Sequence, residues 1–257
     1  MQITVDKIQE RSRSRWLARL EEKPKATVRL FCFPFAGGTT HTYRPWQTLL
    51  PQSIDVIPVQ PPGRGERLSE PPFHRLSEIV EALACELTPY LDKPFAFFGH
   101  SMGALIGLEL ARWLRKNSNR MPLHLFVSGR RAPQIPEPKP IARTWDLPEP
   151  EFIERVRQLN GTPREVMDHP ELMQLMIPLL RADFAVCETY QHQPEPPLKC
   201  PLTVLGGVQD AEIPHEDLTP WCMHTSATCK LHLLRGDHFF VQTASVEIAR
   251  IIAEELN

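Results

Sequence analysis

No stretch of this chain approaches the ~18 uninterrupted apolar residues that a membrane-spanning helix needs. The opening residues, MQITVDKIQERSRSRW, also lack the apolar segment of a secretory signal, so the expected compartment is the cytoplasm. Charge of either sign is not in excess. Lys and Arg number 29 against 31 Asp and Glu, a formal net charge of −2, which gives no reason to expect a nucleic-acid partner. The one local basic cluster, Arg11, Arg13, Arg15 and Arg19, reads as a solvated helix face. Closely spaced cysteines are missing too. Cys32, Cys85, Cys187, Cys200, Cys222 and Cys229 are scattered, and in a reducing compartment they are expected to be free thiols, mostly buried. Cys222, His224, Cys229 and His232 lie near one another, but their spacing matches neither C-x-x-C nor H-x₃₋₅-H, so no metal is expected. Internal repeats and low-complexity tracts are absent.

What the chain does have is length enough, at 257 residues, for one large core. The reading is a single domain over 1–257. Proline is abundant, at 27 residues, and 13 of these fall between Pro133 and Pro201. That clustering marks a change of composition inside the chain.

Residues 27–33, TVRLFCF, are rich in β-branched and aromatic side chains and predict a strand, stopped by Pro-Phe-Ala-Gly-Gly. Further strands are predicted at 54–59, 95–98, 123–127, 202–205 and 230–234. Helical spacing appears at 76–91, 104–115 and 246–256. Alternating strands and helices predict an α/β fold with a mostly parallel sheet and helices on both faces. Residues 133–197 break the alternation. They show helical segments at 151–158 and 170–190 between proline-rich connectors, and predict a helical lid insertion above the C-terminal edge of the sheet.

Gly99-His100-Ser101-Met102-Gly103 fits G-x-S-x-G and sits between a predicted strand and helix. That context puts a serine hydroxyl on a strained turn at the sheet edge. Gly99 and Gly103 let strand and helix approach closely. The helix N-terminus behind Ser101 offers N–H groups to a developing oxyanion. A serine hydroxyl needs a base, and the chain order on such a scaffold is Ser, then acid, then His. His238 follows a strand and a glycine turn, as a loop-borne base should. His232 reads as a strand residue, His215 and His224 are less well placed, and His100 points away from the serine. Asp210, after Thr203-Val204-Leu205, is the expected acid, with Asp217 the weaker candidate and Asp237 too close to His238 in sequence. Met102 and the Phe33–Gly38 loop are the expected sources of the two oxyanion N–H groups.

Taken together, FCFPFAGGT, VQPPGRGERL, FFGHSMGAL, VSGRRAP, LNGTPREV, HPELMQLMIPLLRADFAVCETY, LGGVQD and GDHFF resemble the type II thioesterases, stand-alone editing hydrolases of nonribosomal peptide and polyketide synthases. The resemblance runs from about Trp16 to the C-terminus. It implies an α/β-hydrolase fold and cleavage of a thioester between an acyl group and the phosphopantetheine arm of an acyl or peptidyl carrier protein. It also implies Ser101 as nucleophile, Asp210 as acid, His238 as base, and Ala36 and Met102 as oxyanion donors. No cofactor is implied, because the phosphopantetheine belongs to the partner. Carrier proteins are usually acidic, so Arg130 and Arg131, after a strand at the active-site edge, are candidate docking contacts. Pairing with acidic lid residues is the competing reading. A medium-chain fatty acyl-carrier thioesterase or a small-molecule esterase stays open as the alternative. The lid residues Met173, Leu175, Met176, Leu179, Leu180 and Phe184 are expected to serve as core more than as acyl contacts.

Overall fold

The computed structural model describes residues 14–18, 23–136 and 143–257. Arg11, Arg13 and Arg19 of the basic cluster, and residues 137–142 of the expected lid, lie outside them.

Among the described residues, six parallel strands form one sheet: β1 (Val28–Phe33), β2 (Ile54–Pro58), β3 (Phe95–His100), β4 (Leu125–Ser128), β5 (Leu202–Gly207) and β6 (Cys229–Leu234), in the order β2-β1-β3-β4-β5-β6. β1, β3, β4 and β5 are buried along their whole length. That is why they read as near-continuous apolar runs: both faces of a parallel sheet are covered. Successive side chains still divide between the faces. Phe31, Phe33, Phe97, Val127 and Val204 join a core with helices α2 (Leu76–Leu87) and α3 (Met102–Ser118). Leu30, Cys32, Phe98, Phe126 and Leu205 join a second core with α1 (Trp46–Leu49) and α8 (Ser245–Leu256).

After β1 the chain leads to β2 on one side, and after β3 it leads to β4 on the other. The carboxyl ends of β1 and β3 therefore flank a topological switch point, where open α/β sheets leave a crevice for ligand. The predicted oxyanion loop and serine turn are the two loops at that point.

Between β4 and β5 the described residues contain no strand. They hold α4 (Glu149–Leu159), α5 (Arg164–Met167) and α6 (Pro170–Glu188). Phe152, Val156, Met173, Ile177 and Leu180 pack into a small core of their own, distinct from both sheet cores. Leu179 is buried, and Met176 and Phe184 pack partly buried against this lid core, but Leu175 is 57% exposed and serves no core. The helical period of α6 carries that position to the outer face. Among the described residues no helix is long and apolar enough to cross a membrane.

One expectation about cysteine is corrected. Cys222 and Cys229 form a disulfide, with Cα atoms 5.4 Å apart. Residues seven apart escape a search for close pairs. Here a 3₁₀ segment, Thr219–His224, turns the chain back into β6 and brings the two together. Cys32 and Cys200 are buried thiols, Cys187 is half-buried, and Cys85 is exposed. A short helix α7 (Phe240–Thr243) and the four-residue α1 have too few turns to show a period in the sequence.

Candidate active site

β3 runs through Gly99 and His100 and turns sharply at Ser101, and α3 begins at Met102. Ser101 has φ 52° and ψ −112°, a conformation that costs a non-glycine residue on the order of 1–3 kcal/mol. The flanking glycines make the turn possible. A Cβ on Gly99 would lie 1.9 Å from the Gly103 carbonyl oxygen, and one on Gly103 would lie 2.4 Å from that of Phe33. Ser101 N–H donates to the Ser128 carbonyl at 2.7 Å, tying the turn to β4.

The loop after β1 closes a turn in which Gly38 N–H donates to the Phe35 carbonyl at 2.8 Å. Gly37, its third residue, has φ +74°, the left-handed region that glycine enters freely. Phe35, Ala36, Ser101, Arg130, His238 and Phe239 line a cavity of about 500 Å³, roofed by Val156, Leu159, Leu180 and Phe184 of the lid helices. Leu180 and Phe184 thus serve both the lid core and the cavity wall. Met102 is fully buried directly behind Ser101, at the start of α3.

His238 Nδ1 lies 2.8 Å from Asp210 Oδ2. The carboxylate only accepts, so the ring proton sits on Nδ1 and Nε2 carries the lone pair. Asp210 is 1% exposed at its side chain. Its other oxygen accepts the Glu212 N–H at 2.9 Å and the Ile213 N–H at 3.2 Å. Those two main-chain bonds fix the carboxylate independently of the histidine.

The rejected candidates are engaged elsewhere. Asp217 pairs with Arg131 at 3.4 Å. Asp237 accepts from Phe239 N–H beside it in sequence. His215 meets the Gly207 carbonyl, and His224 donates to Gln134 Oε1 at 2.6 Å. Burial lowers the His224 pKa to about 4, helped by Arg112 and His192 nearby.

His100 has a larger part than its sequence position suggested. It is fully buried. Its Nε2 donates to the His238 carbonyl at 2.9 Å, so Nδ1 must accept from the Ser128 hydroxyl, also at 2.9 Å. Burial first, and the neighbouring His238 second, hold its pKa well below the usual value. A neutral His100 therefore joins the serine turn, β4 and the loop carrying His238. Only the identity of residue 100 was visible in the sequence, since the partner is a main-chain carbonyl 138 positions away.

Arg130 and Arg131 both reach the cavity lining, but they differ. The Arg131 side chain is only 7% exposed; it pairs with Asp217 and donates to the Glu212 carbonyl at 2.9 Å. It braces the segment behind Asp210 and reaches the cavity lining with little exposed surface. Asp217 lies between β5 and β6, outside the lid. Arg130 is half-buried on the cavity wall, and its carbonyl accepts the Trp221 indole N–H at 2.7 Å.

The chain is similar to known proteins over nearly its whole length. A protein named linear gramicidin dehydrogenase LgrE, from Brevibacillus parabrevis, is 46% identical over 95% of this chain and 94% of its own length. The RedJ thioesterase of the prodiginine pathway in Streptomyces coelicolor superposes with a TM-score of 0.85 at 35% identity, covering 93% of this chain and 95% of that one. BorB, described as the type II thioesterase of the borrelidin biosynthetic cluster, gives 0.85 at 33% identity over 94% and 98%. The shared architecture is the α/β-hydrolase fold. The family model described as "Thioesterase domain" matches residues 28–256, from the first strand to the last helix, and the chain belongs to that family.

Proposed function

We propose that this protein hydrolyses thioesters between acyl groups and the phosphopantetheine arm of acyl or peptidyl carrier proteins. It thereby clears misprimed or stalled groups from nonribosomal peptide or polyketide synthases in the cytoplasm. Its 257 residues act as one α/β-hydrolase domain with a lid at about 133–197. The observation that carries this reading is one cavity holding a serine on a strained turn and a histidine whose Nδ1 is bonded to a buried carboxylate.

The residues support a two-step acyl transfer. Ser101 Oγ attacks the thioester carbonyl carbon as His238 Nε2 takes its proton. The Ala36 and Met102 N–H groups stabilise the oxyanion. Collapse breaks the carbon–sulfur bond, and the pantetheine sulfur takes the proton from His238 and leaves as the thiol. A water, deprotonated by His238, then attacks the acyl-serine; the acid departs and Ser101 regains its proton. Arg130 supplies a positive charge at the cavity mouth for the acidic carrier. The word "dehydrogenase" in the name of the Brevibacillus relative has no counterpart in this chain. The turn after β1 reads Phe-Pro-Phe-Ala-Gly-Gly, and no G-x-G-x-x-G occurs anywhere in the sequence.

Two measurements test the proposal. A fluorophosphonate is expected to label the wild type at Ser101 and not to label Ser101→Ala. A panel of acyl-loaded carrier proteins is expected to show broad cleavage of short acyl groups. Failure of the wild type to label overturns the serine mechanism, and a sharp preference for one long chain overturns the editing role in favour of product release.

A further inference from the structure

The loop that carries Ala36 is gripped from the lid. Asp183, near the end of α6, accepts the Gly37 N–H on Oδ2 at 2.7 Å. Its Oδ1 accepts from the Arg64 guanidinium at 2.8 Å, and Arg64 donates a further bond to the Gly38 carbonyl at 3.2 Å. The two side chains are 1% and 2% exposed. Leu180, one helical turn before Asp183, presses on the same place: a Cβ on Gly37 would fall 2.7 Å from its Cδ2 atom. Three segments far apart in sequence therefore meet on one turn of two glycines: the loop after β1, the loop after β2, and the lid.

A buried ion pair is weak evidence for stability, since desolvating both charges offsets most of their attraction. It is strong evidence for direction, because each carboxylate oxygen has one assigned donor and charge-assisted bonds are short and oriented. The direction matters here. The Phe35 carbonyl accepts Gly38 N–H. A trans peptide is planar, so the Ala36 N–H of that same unit points the opposite way. The next peptide, Ala36–Gly37, has its N–H occupied by Asp183. With both peptide planes held, the Ala36 N–H keeps one orientation and Gly37 does not compete as donor.

We propose that Asp183 is a positioning residue for the oxyanion loop, and that through it the seating of lid helix α6 sets the aim of the Ala36 N–H. This rests on the thioesterase reading above. It makes the lid part of the catalytic alignment as well as a wall of the acyl pocket.

The test compares two double variants, both of which remove the buried charge pair so that neither strands a charge. Arg64→Met/Asp183→Asn keeps an oxygen to accept Gly37 N–H. Arg64→Met/Asp183→Leu has a similar shape and no acceptor. On an acyl thioester, the Asn variant is expected to keep kcat within about threefold of wild type, while the Leu variant loses about 30- to 300-fold in kcat with KM held within about twofold. Affinity for an aryl boronic acid, which forms a tetrahedral serine adduct, is expected to fall in the same ratio. If the Leu variant does not fold, Arg64→Met/Asp183→Gln, whose acceptor is displaced by one methylene, is expected to show the same split. Equal kcat and equal boronate affinity in folded variants overturn the positioning role. So does a loss confined to KM. The wild type is labelled with fluorophosphonate alongside. Its failure to label overturns the thioesterase reading itself, and a normally labelled wild type beside indistinguishable variants overturns only the role of Asp183.

Discussion

His100 Nε2 donates its proton to the main-chain carbonyl of His238, while the His100 ring accepts from Ser128. The residue next to the nucleophile thus holds the backbone of the base. His100→Phe fills a similar volume but makes neither bond. We expect kcat to fall about 10- to 100-fold with little change in KM, since a misplaced base costs the transition state more than substrate binding. Steady-state kinetics on a small acyl thioester checks this, and kcat within twofold of wild type would show that the His238 loop holds its own position.

Asp210→Asn separates the two jobs of that side chain. The amide oxygen can still accept from Glu212 and Ile213, so the fold should persist. The amide nitrogen then faces His238 Nδ1 and forces the ring proton onto Nε2, the wrong tautomer for a base. The expected loss in kcat is about 10⁴-fold, the size seen when a triad carboxylate is amidated elsewhere. Asp217→Asn should leave kcat near wild type and instead lower thermal stability, by weakening the contact with Arg131. Reversal of that order would reassign the acid.

The disulfide makes a simple count. Alkylation of the unfolded protein without reductant should modify four cysteines, and six after reduction. Closing so short a loop is worth about 2 kcal/mol in the chain-entropy picture, so Cys222→Ser/Cys229→Ser should melt several degrees lower. Six reactive thiols in freshly purified protein would mean that the bond does not form there.

Stability should fall on mild acidification. His124 and His224 are buried, and their pKa values are lowered to about 4 chiefly by burial. Unfolded, each takes a proton near its ordinary value of about 6.5. The folded state therefore binds fewer protons between those limits, so the contribution of these residues is complete above pH 6.5 and is lost as pH drops toward 4. Each unit of separation is worth about 1.4 kcal/mol. A series of thermal melts from pH 7.5 to 4.5 should show the midpoint dropping through that window. His124 stacks on Phe126 and bonds Thr203. His124→Gln should flatten the slope, and a melting point independent of pH would contradict neutral burial.

Much of this was readable in advance for a physical reason. Strands such as FAFFGH and LTVLGG are buried on both faces, so their apolar runs are unmistakable, and the strand–G-x-S-x-G–helix sequence can be satisfied only by a tight turn. Ser101, Asp210 and His238 were picked out because each follows a strand at one sheet edge. The misses are of another kind. Leu175 is exposed where a core position was expected, because exposure depends on tertiary packing. The Cys222–Cys229 bond depends on a local reversal of the chain. His100 and Asp183 act on main-chain groups, which leave no mark on the identity of the distant residue.

The lid's private core has an evolutionary corollary. Phe152, Val156, Met173, Ile177 and Leu180 hold α4 and α6 together without drawing on either sheet core. Selection can therefore redraw the pocket for a new acyl group by exchanging residues of that small core, at less cost to the sheet than replacing all of α6, whose Val186 joins the core with α2 and α3. Asp183 limits that freedom: a lid transplanted from another member would have to bring an acceptor for Gly37 at the same height on its last long helix.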